Sequence, residues 1–170
     1  IIPTRHGDDR GWFSEVYRAD MLARAGFEIA FVQDNQSLTK PAGTIRGLHF
    51  QIAPAAQTKL VRVISGAILD VAVDIRRASL TFGHHVALRL DAAGGEQLLI
   101  PAGFAHGFCT LEPDTMVAYK VDEYYSPEHD RALAWNDPEV GIPWPVSGEA
   151  AILSDKDRRA PRLADLGQVF

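Results

Sequence analysis

His49 lies in the stretch TIRGLHFQ, with Arg46 three residues before it and Lys59 ten residues after it. Nearby cations disfavour protonation of an imidazole, and only the neutral ring can accept a proton. The pattern fits a general base. It also fits a core histidine with a satisfied hydrogen bond, the commoner role of a lone histidine in a strand. Leu48 and Phe50 flank the residue, so on a strand its side chain faces away from theirs. Other polar residues also sit inside apolar runs. Lys59 opens KLVRV, Tyr119 lies within MVAYKV, and His106 follows the Pro-Ala-Gly turn of IPAGFAHGF at a strand start. Such residues are costly to bury unless they are paired or used.

Metal chemistry is not what the histidines suggest. A metal-binding β-sandwich of this kind needs a second histidine two residues on and a carboxylate soon after. Here Gln51 holds the second position and no acid follows before Asp70. His84 and His85 are adjacent, so a strand points them to opposite faces. His6 and His129 read as surface residues. Cys109, in the apolar stretch HGFCTL, reads as a small core residue rather than a nucleophile.

Three further stretches leave two readings each. DDRGWFSEVYR, with Arg10, Trp12, Phe13 and Glu15, is an edge strand with a solvated face, or an arginine for a phosphate beside aromatics that stack on a base. FVQDNQS, with Gln33, Asp34 and Asn35, is a turn or a run of hydrogen-bonding side chains at a site. ILSDKDRRAP, with Asp155, Lys156 and Asp157, has the composition of a mixed-charge loop, and WNDPEVGIPWP reads as a rigid loop packed over a surface.

The elements that must carry these residues are mostly strands. Lys59 to Arg76 forms two β-branched runs around Ser65-Gly66. In the second run Ala67, Leu69, Val71 and Val73 alternate with Ile68, Asp70, Ala72 and Asp74, the period of a strand with one face on a core. Short runs then recur between AAGG, Pro-Ala-Gly and Pro-Asp turn signals, which suggests an antiparallel sandwich or barrel. Two short helices are expected, RADMLARAG ending at Gly26 and PRLADLG between Pro161 and Gly167.

At 170 residues the chain is expected to form one domain with its own core. A net charge of −5 gives no reason to expect nucleic-acid or membrane binding, so an anionic ligand needs a local cationic pocket. One cysteine excludes an internal disulfide and fits a reducing, cytoplasmic setting. No run approaches the roughly 18 apolar residues of a membrane span, and no secretory signal or glycine-rich phosphate fingerprint is visible. The chain opens at Ile1, and a short preceding piece is expected.

Together, DDRGWFSE, QDNQS, TIRGLHFQ, QTKLVRVISGAILDVAVDIR, SLTFG, IPAGFAHGF, YKVDEYYSPEHD, WNDPEVGIPWP and LSDKD resemble the dTDP-4-dehydrorhamnose 3,5-epimerase family, in that family's order and over nearly the whole chain. The resemblance implies a mainly β, cupin-like jelly roll (a double-stranded β-helix) with short flanking helices and a core over about residues 28–130. It implies cofactor-independent, metal-free epimerisation of dTDP-4-keto-6-deoxy-D-glucose at C3 and C5 for L-rhamnose and surface-polysaccharide synthesis. It also implies a homodimer that shares site residues. By the same resemblance His49 is the base, Asp157 its supporting carboxylate, Lys59 the cation at the sugar's O4 and Tyr119 the proton donor. Arg10, Glu15, Gln33, Asn35, Arg46, His106 and Asp130 fall on substrate contacts, and Phe13 and Tyr125 on the nucleotide pocket. A C3-only epimerase and a non-catalytic sugar-nucleotide-binding cupin are the alternatives.

Overall fold

A computed structural model describes all residues, Ile1 to Phe170. The strands in chain order are β1 (His6–Asp8), β2 (Gly11–Phe13), β3 (Gln33–Thr39), β4 (Ile45–Gln51), β5 (Lys59–Ser65), β6 (Ala67–Asp74), β7 (His85–Asp91), β8 (Gln97–Ile100), β9 (Phe104–Thr110), β10 (Thr115–Val121) and β11 (Asp130–Ala132). Two short helices flank them, α1 (Ala19–Arg24) and α2 (Asp155–Arg158). β1 and β2 form a separate hairpin. The rest form a four-stranded sheet, β3-β10-β5-β8, and a five-stranded sheet, β11-β4-β9-β6-β7, every pairing antiparallel. This is the expected cupin-type jelly roll.

The chain crosses from one sheet to the other at Ser65-Gly66. Gly66 has φ +78°, and a Cβ there would lie 2.3 Å from Thr115 Oγ1, so only glycine makes this corner. Val61, Val63, Ile68, Ala72, Leu90, Ile100, Phe108 and Val117 pack between the sheets. Each large aliphatic side chain so buried contributes about 1.5–3 kcal/mol.

β6 departs from the expected one-sided strand, because both of its faces are buried. Ile68 and Ala72 face the second sheet, while Val71 and Val73 join Leu48, Phe50, Leu133 and Leu163 in another core on the far side. The cause is the segment from Leu133 onward, which folds back over the outer face of the five-stranded sheet and brings Trp144, Leu166 and Phe170 onto that core. The WNDPEVGIPWP stretch belongs to this cover, with the Trp144 indole donating to the Trp135 carbonyl at 2.6 Å.

Three local readings change. Gln33–Ser37 is not a turn but part of β3, alternately half-buried and exposed. The 161–167 stretch makes only a 3₁₀ turn at Leu163–Asp165 rather than an α-helix. The mixed-charge stretch after Leu153 is α2 rather than a loop. Ser154 caps it, its hydroxyl accepting from the Asp157 amide at 3.2 Å. No helix is long and apolar enough to cross a membrane.

Candidate active site

A cavity of about 290 Å³ opens between the two sheets. β4 supplies Arg46 and His49, β5 Lys59, β9 His106, β10 Tyr119, and β3 Gln33, Asn35 and Ser37. Tyr125, Asp130 and Lys156 line its rim.

Arg46 and His49 are three residues apart, and a regular strand would send them to opposite faces. The β4–β9 register shifts between them, and this bulge returns both to the cavity. The bulge depends on Gly47, at φ +117°. A Cβ there would sit 2.7 Å from the Gly107 Cα and from the His106 carbonyl oxygen. Beyond the bulge, His49 pairs in register with His106.

His49 Nε2 is 2.6 Å from Asp157 Oδ1. The ring is 34% exposed towards the cavity, whereas the carboxylate is 3% exposed. Burial alone would raise the Asp157 pKa. The hydrogen bonds from His49 and Ser154 outweigh it and hold the carboxyl below its ordinary value. The Ser154 hydroxyl donates to the second oxygen at 2.7 Å. α2 thus delivers a fixed anion behind the ring, which orients the imidazole and favours its charged form once it has taken a proton.

Lys59 is buried, and its ammonium donates to the His49 carbonyl at 3.1 Å. It therefore approaches His49 through the backbone rather than the ring. Desolvation lowers its pKa to about 8, against the pull of Asp130 and Asp70 and with a push from Lys156. Tyr119 is shifted upwards, chiefly by burial, with Arg46 opposing and Asp130 adding a smaller push. Its phenol therefore holds its proton at neutral pH.

Gln33 donates to Asn35 at 2.8 Å and accepts the Tyr125 amide at 3.1 Å, which ties β3 to the rim. The Arg46 guanidinium donates to Thr39 Oγ1 at 2.9 Å. Tyr125 donates to Asp130 at 3.3 Å, and Lys156 pairs with the same carboxylate. Lys156 is expected from composition only as part of a mixed-charge loop, yet it lines the cavity. The signal for it was Ser154 three residues ahead of Asp157, a helix N-terminal pattern that lifts the intervening lysine to the rim. No group of three His, Cys, Asp or Glu side chains is placed to share an ion. Cys109 is buried in the core with its thiol pushed up to about 11, as suits a packing residue.

The model of the family described as dTDP-4-dehydrorhamnose 3,5-epimerase matches residues 1–165. The chain belongs to this family. A dTDP-4-dehydrorhamnose 3,5-epimerase of Sinorhizobium fredii is 51% identical over 170 residues, covering 100% of this chain and 87% of that one. The crystal structure of the Bacillus anthracis enzyme, with TDP and PPi bound, superposes with a TM-score of 0.92 at 56% identity, over 95% of this chain and 91% of that one. The Legionella pneumophila epimerase in complex with dTDP-4-keto-L-rhamnose gives 0.91 at 42% identity, over 96% and 86%. The chain is thus a member of an isomerase family.

Arg10, Phe13 and Glu15, which the family resemblance implies are substrate contacts, do not reach the cavity of their own chain. They lie on or beside the β1–β2 hairpin. Arg10 is 89% exposed and pairs with Asp8 at 2.6 Å, Phe13 is 67% exposed, and Glu15 pairs with Arg18.

Proposed function

We propose that this chain epimerises dTDP-4-keto-6-deoxy-D-glucose at C3 and C5 to dTDP-4-keto-L-rhamnose, acting as a single domain and without a cofactor. The observation that carries the reading is the 2.6 Å His49–Asp157 pair, with the Lys59 ammonium bonded to the backbone of the same histidine.

The hydrogens at C3 and C5 are each α to the C4 ketone. His49 takes one of these protons, the C–H electron pair becomes an enolate, and its charge collects on O4. Lys59 faces that oxygen. A preorganised donor of this kind in a dry site is worth about 3 kcal/mol, or 10²–10³ in rate. Tyr119 donates its proton to the carbon from the opposite face, which inverts the centre. Solvent then restores the proton to Tyr119 and removes the one on His49. The cavity lies at the small end of ligand pockets, about 300–1,000 Å³, so the deoxysugar occupies it and the nucleotide lies over the Tyr125–Asp130 rim. Gln33, Asn35, Arg46 and His106 bind the substrate, with Arg46 and Lys156 as cations for the diphosphate. The product serves L-rhamnose synthesis for surface polysaccharide in the cytoplasm.

We further propose a homodimer in which the hairpin of each copy completes the cavity of the other. Supporting this, three expected substrate contacts stand outside their own cavity, and Trp12, Phe13, Leu38 and Ile64 are exposed apolar side chains.

The deciding measurement is NMR of the purified protein with dTDP-4-keto-6-deoxyglucose in deuterium oxide. Deuterium is expected at both C3 and C5. Incorporation at C3 alone identifies a monoepimerase, and tight binding without exchange identifies a binding protein.

A further inference from the structure

Asp70 is the one buried carboxylate of the cavity region that the reaction above does not use. On β6 it shares the inner face with Ile68 and Ala72, and it is 0% exposed. Its Oδ1 lies 2.7 Å from His106 Nε2, and no protein donor reaches its Oδ2. His106 is 6% exposed, lines the cavity, and stands beside His49 in the β4–β9 register. The site therefore holds two adjacent imidazoles, each with Nε2 on an aspartate. The pairs differ behind the ring: Asp157 receives a second hydrogen bond from Ser154, while Asp70 receives none.

Nothing in the packing of β6 calls for an anion. Its neighbours in register are Leu88 and Phe108, and a half-satisfied buried carboxylate is costly. Two local effects account for it. As an acceptor, Asp70 holds the His106 proton on Nε2 and leaves Nδ1, which has no protein partner, as an acceptor for the substrate. As a charge, it acts on Lys59, the cation that must remain an ammonium to face O4.

We infer that Asp70 is a positioning residue of this site, fixing the tautomer of His106 and supplying a second buried counter-charge for Lys59. The inference rests on the function proposed above, because it assigns a task to Asp70 only if Lys59 stabilises an enolate. Other charges also act on Lys59: Asp130 pulls its proton on and Lys156 opposes it, while His49, His106, Arg46 and Tyr119 share the cavity. A single Asp70→Asn variant leaves all of these residues in place, removes the charge, and keeps one acceptor oxygen while turning the other into an NH2 donor.

The test is the pH dependence of kcat and KM for wild type and Asp70→Asn. The variant is expected to lose about tenfold or more in kcat, with KM little changed. Its basic limb is expected to fall by about one pH unit, since removing a neighbouring anion lets Lys59 lose its proton sooner. A folded variant with an unmoved basic limb overturns the inference, because a merely structural role leaves that limb in place. If the variant does not fold, imidazole ¹⁵N–¹H correlation spectra of the wild type decide instead. They are expected to show His106 protonated on Nε2 where its ring is neutral, and protonation on Nδ1 overturns the inference. A wild type that exchanges no deuterium defeats the proposed function itself. A wild type that exchanges normally beside an unmoved variant limb defeats only the role of Asp70.

Discussion

In the proposed mechanism, Lys59 sets the catalytic and the stability behaviour of the site in opposite directions. Burial lowers its pKa from 10.5 to about 8. Between those values the unfolded chain holds a proton that the native state has released, so the group's contribution to stability rises with pH across this window. Below about 8 the native state bears the full penalty, roughly 3 kcal/mol at pH 7. Lys59→Met is therefore expected to melt several degrees higher than wild type at pH 7, by calorimetry, while losing about 10²-fold or more of its deuterium exchange. A lower melting temperature would show that the ammonium earns more from its local contacts than it loses by desolvation. In the wild type, exchange is expected to decline as the pH rises past about 8, where Lys59 becomes neutral.

At the scale of the element, the bulge in β4 decides whether Arg46 and His49 meet. Gly47→Ala would press a methyl group against the backbone of Gly107 and His106. The expected result is a folded jelly roll with displaced Arg46 and His49: exchange lower by about tenfold or more, with a far-ultraviolet circular dichroism spectrum like that of wild type. Wild-type exchange in this variant would mean that the strand absorbs the methyl group elsewhere. The bulge also marks the limit of what local sequence discloses. Strands β5 to β10 were legible because their alternation and the Gly, Pro and Asp breaks between them are local signals. The face to which Arg46 points was not, because the register shift needs a glycine on β9 as well as one on β4. The two-sided burial of β6 was hidden for a related reason, since its second cover comes from residues beyond Leu133. The meeting of His49 and Asp157, 108 residues apart, came from the family resemblance and not from spacing.

At the scale of the whole molecule, the hairpin separates a cavity completed in cis from one completed by a second copy. Light scattering is expected to give a dimer. Mixing Arg10→Ala chains with His49→Ala chains is expected to restore exchange, because a hybrid dimer holds one site with an intact histidine and an intact hairpin. A pair of inactive variants that stays inactive after verified subunit exchange would place the hairpin's work within its own chain.

The anion behind His49 is carried on α2, beyond every strand of the jelly roll. During synthesis, all eleven strands leave the ribosome before this residue does. A polypeptide interrupted between Ala132 and Asp157 therefore lacks the carboxylate that, in the proposed mechanism, supports its imidazole, even though it already carries every strand of the jelly roll.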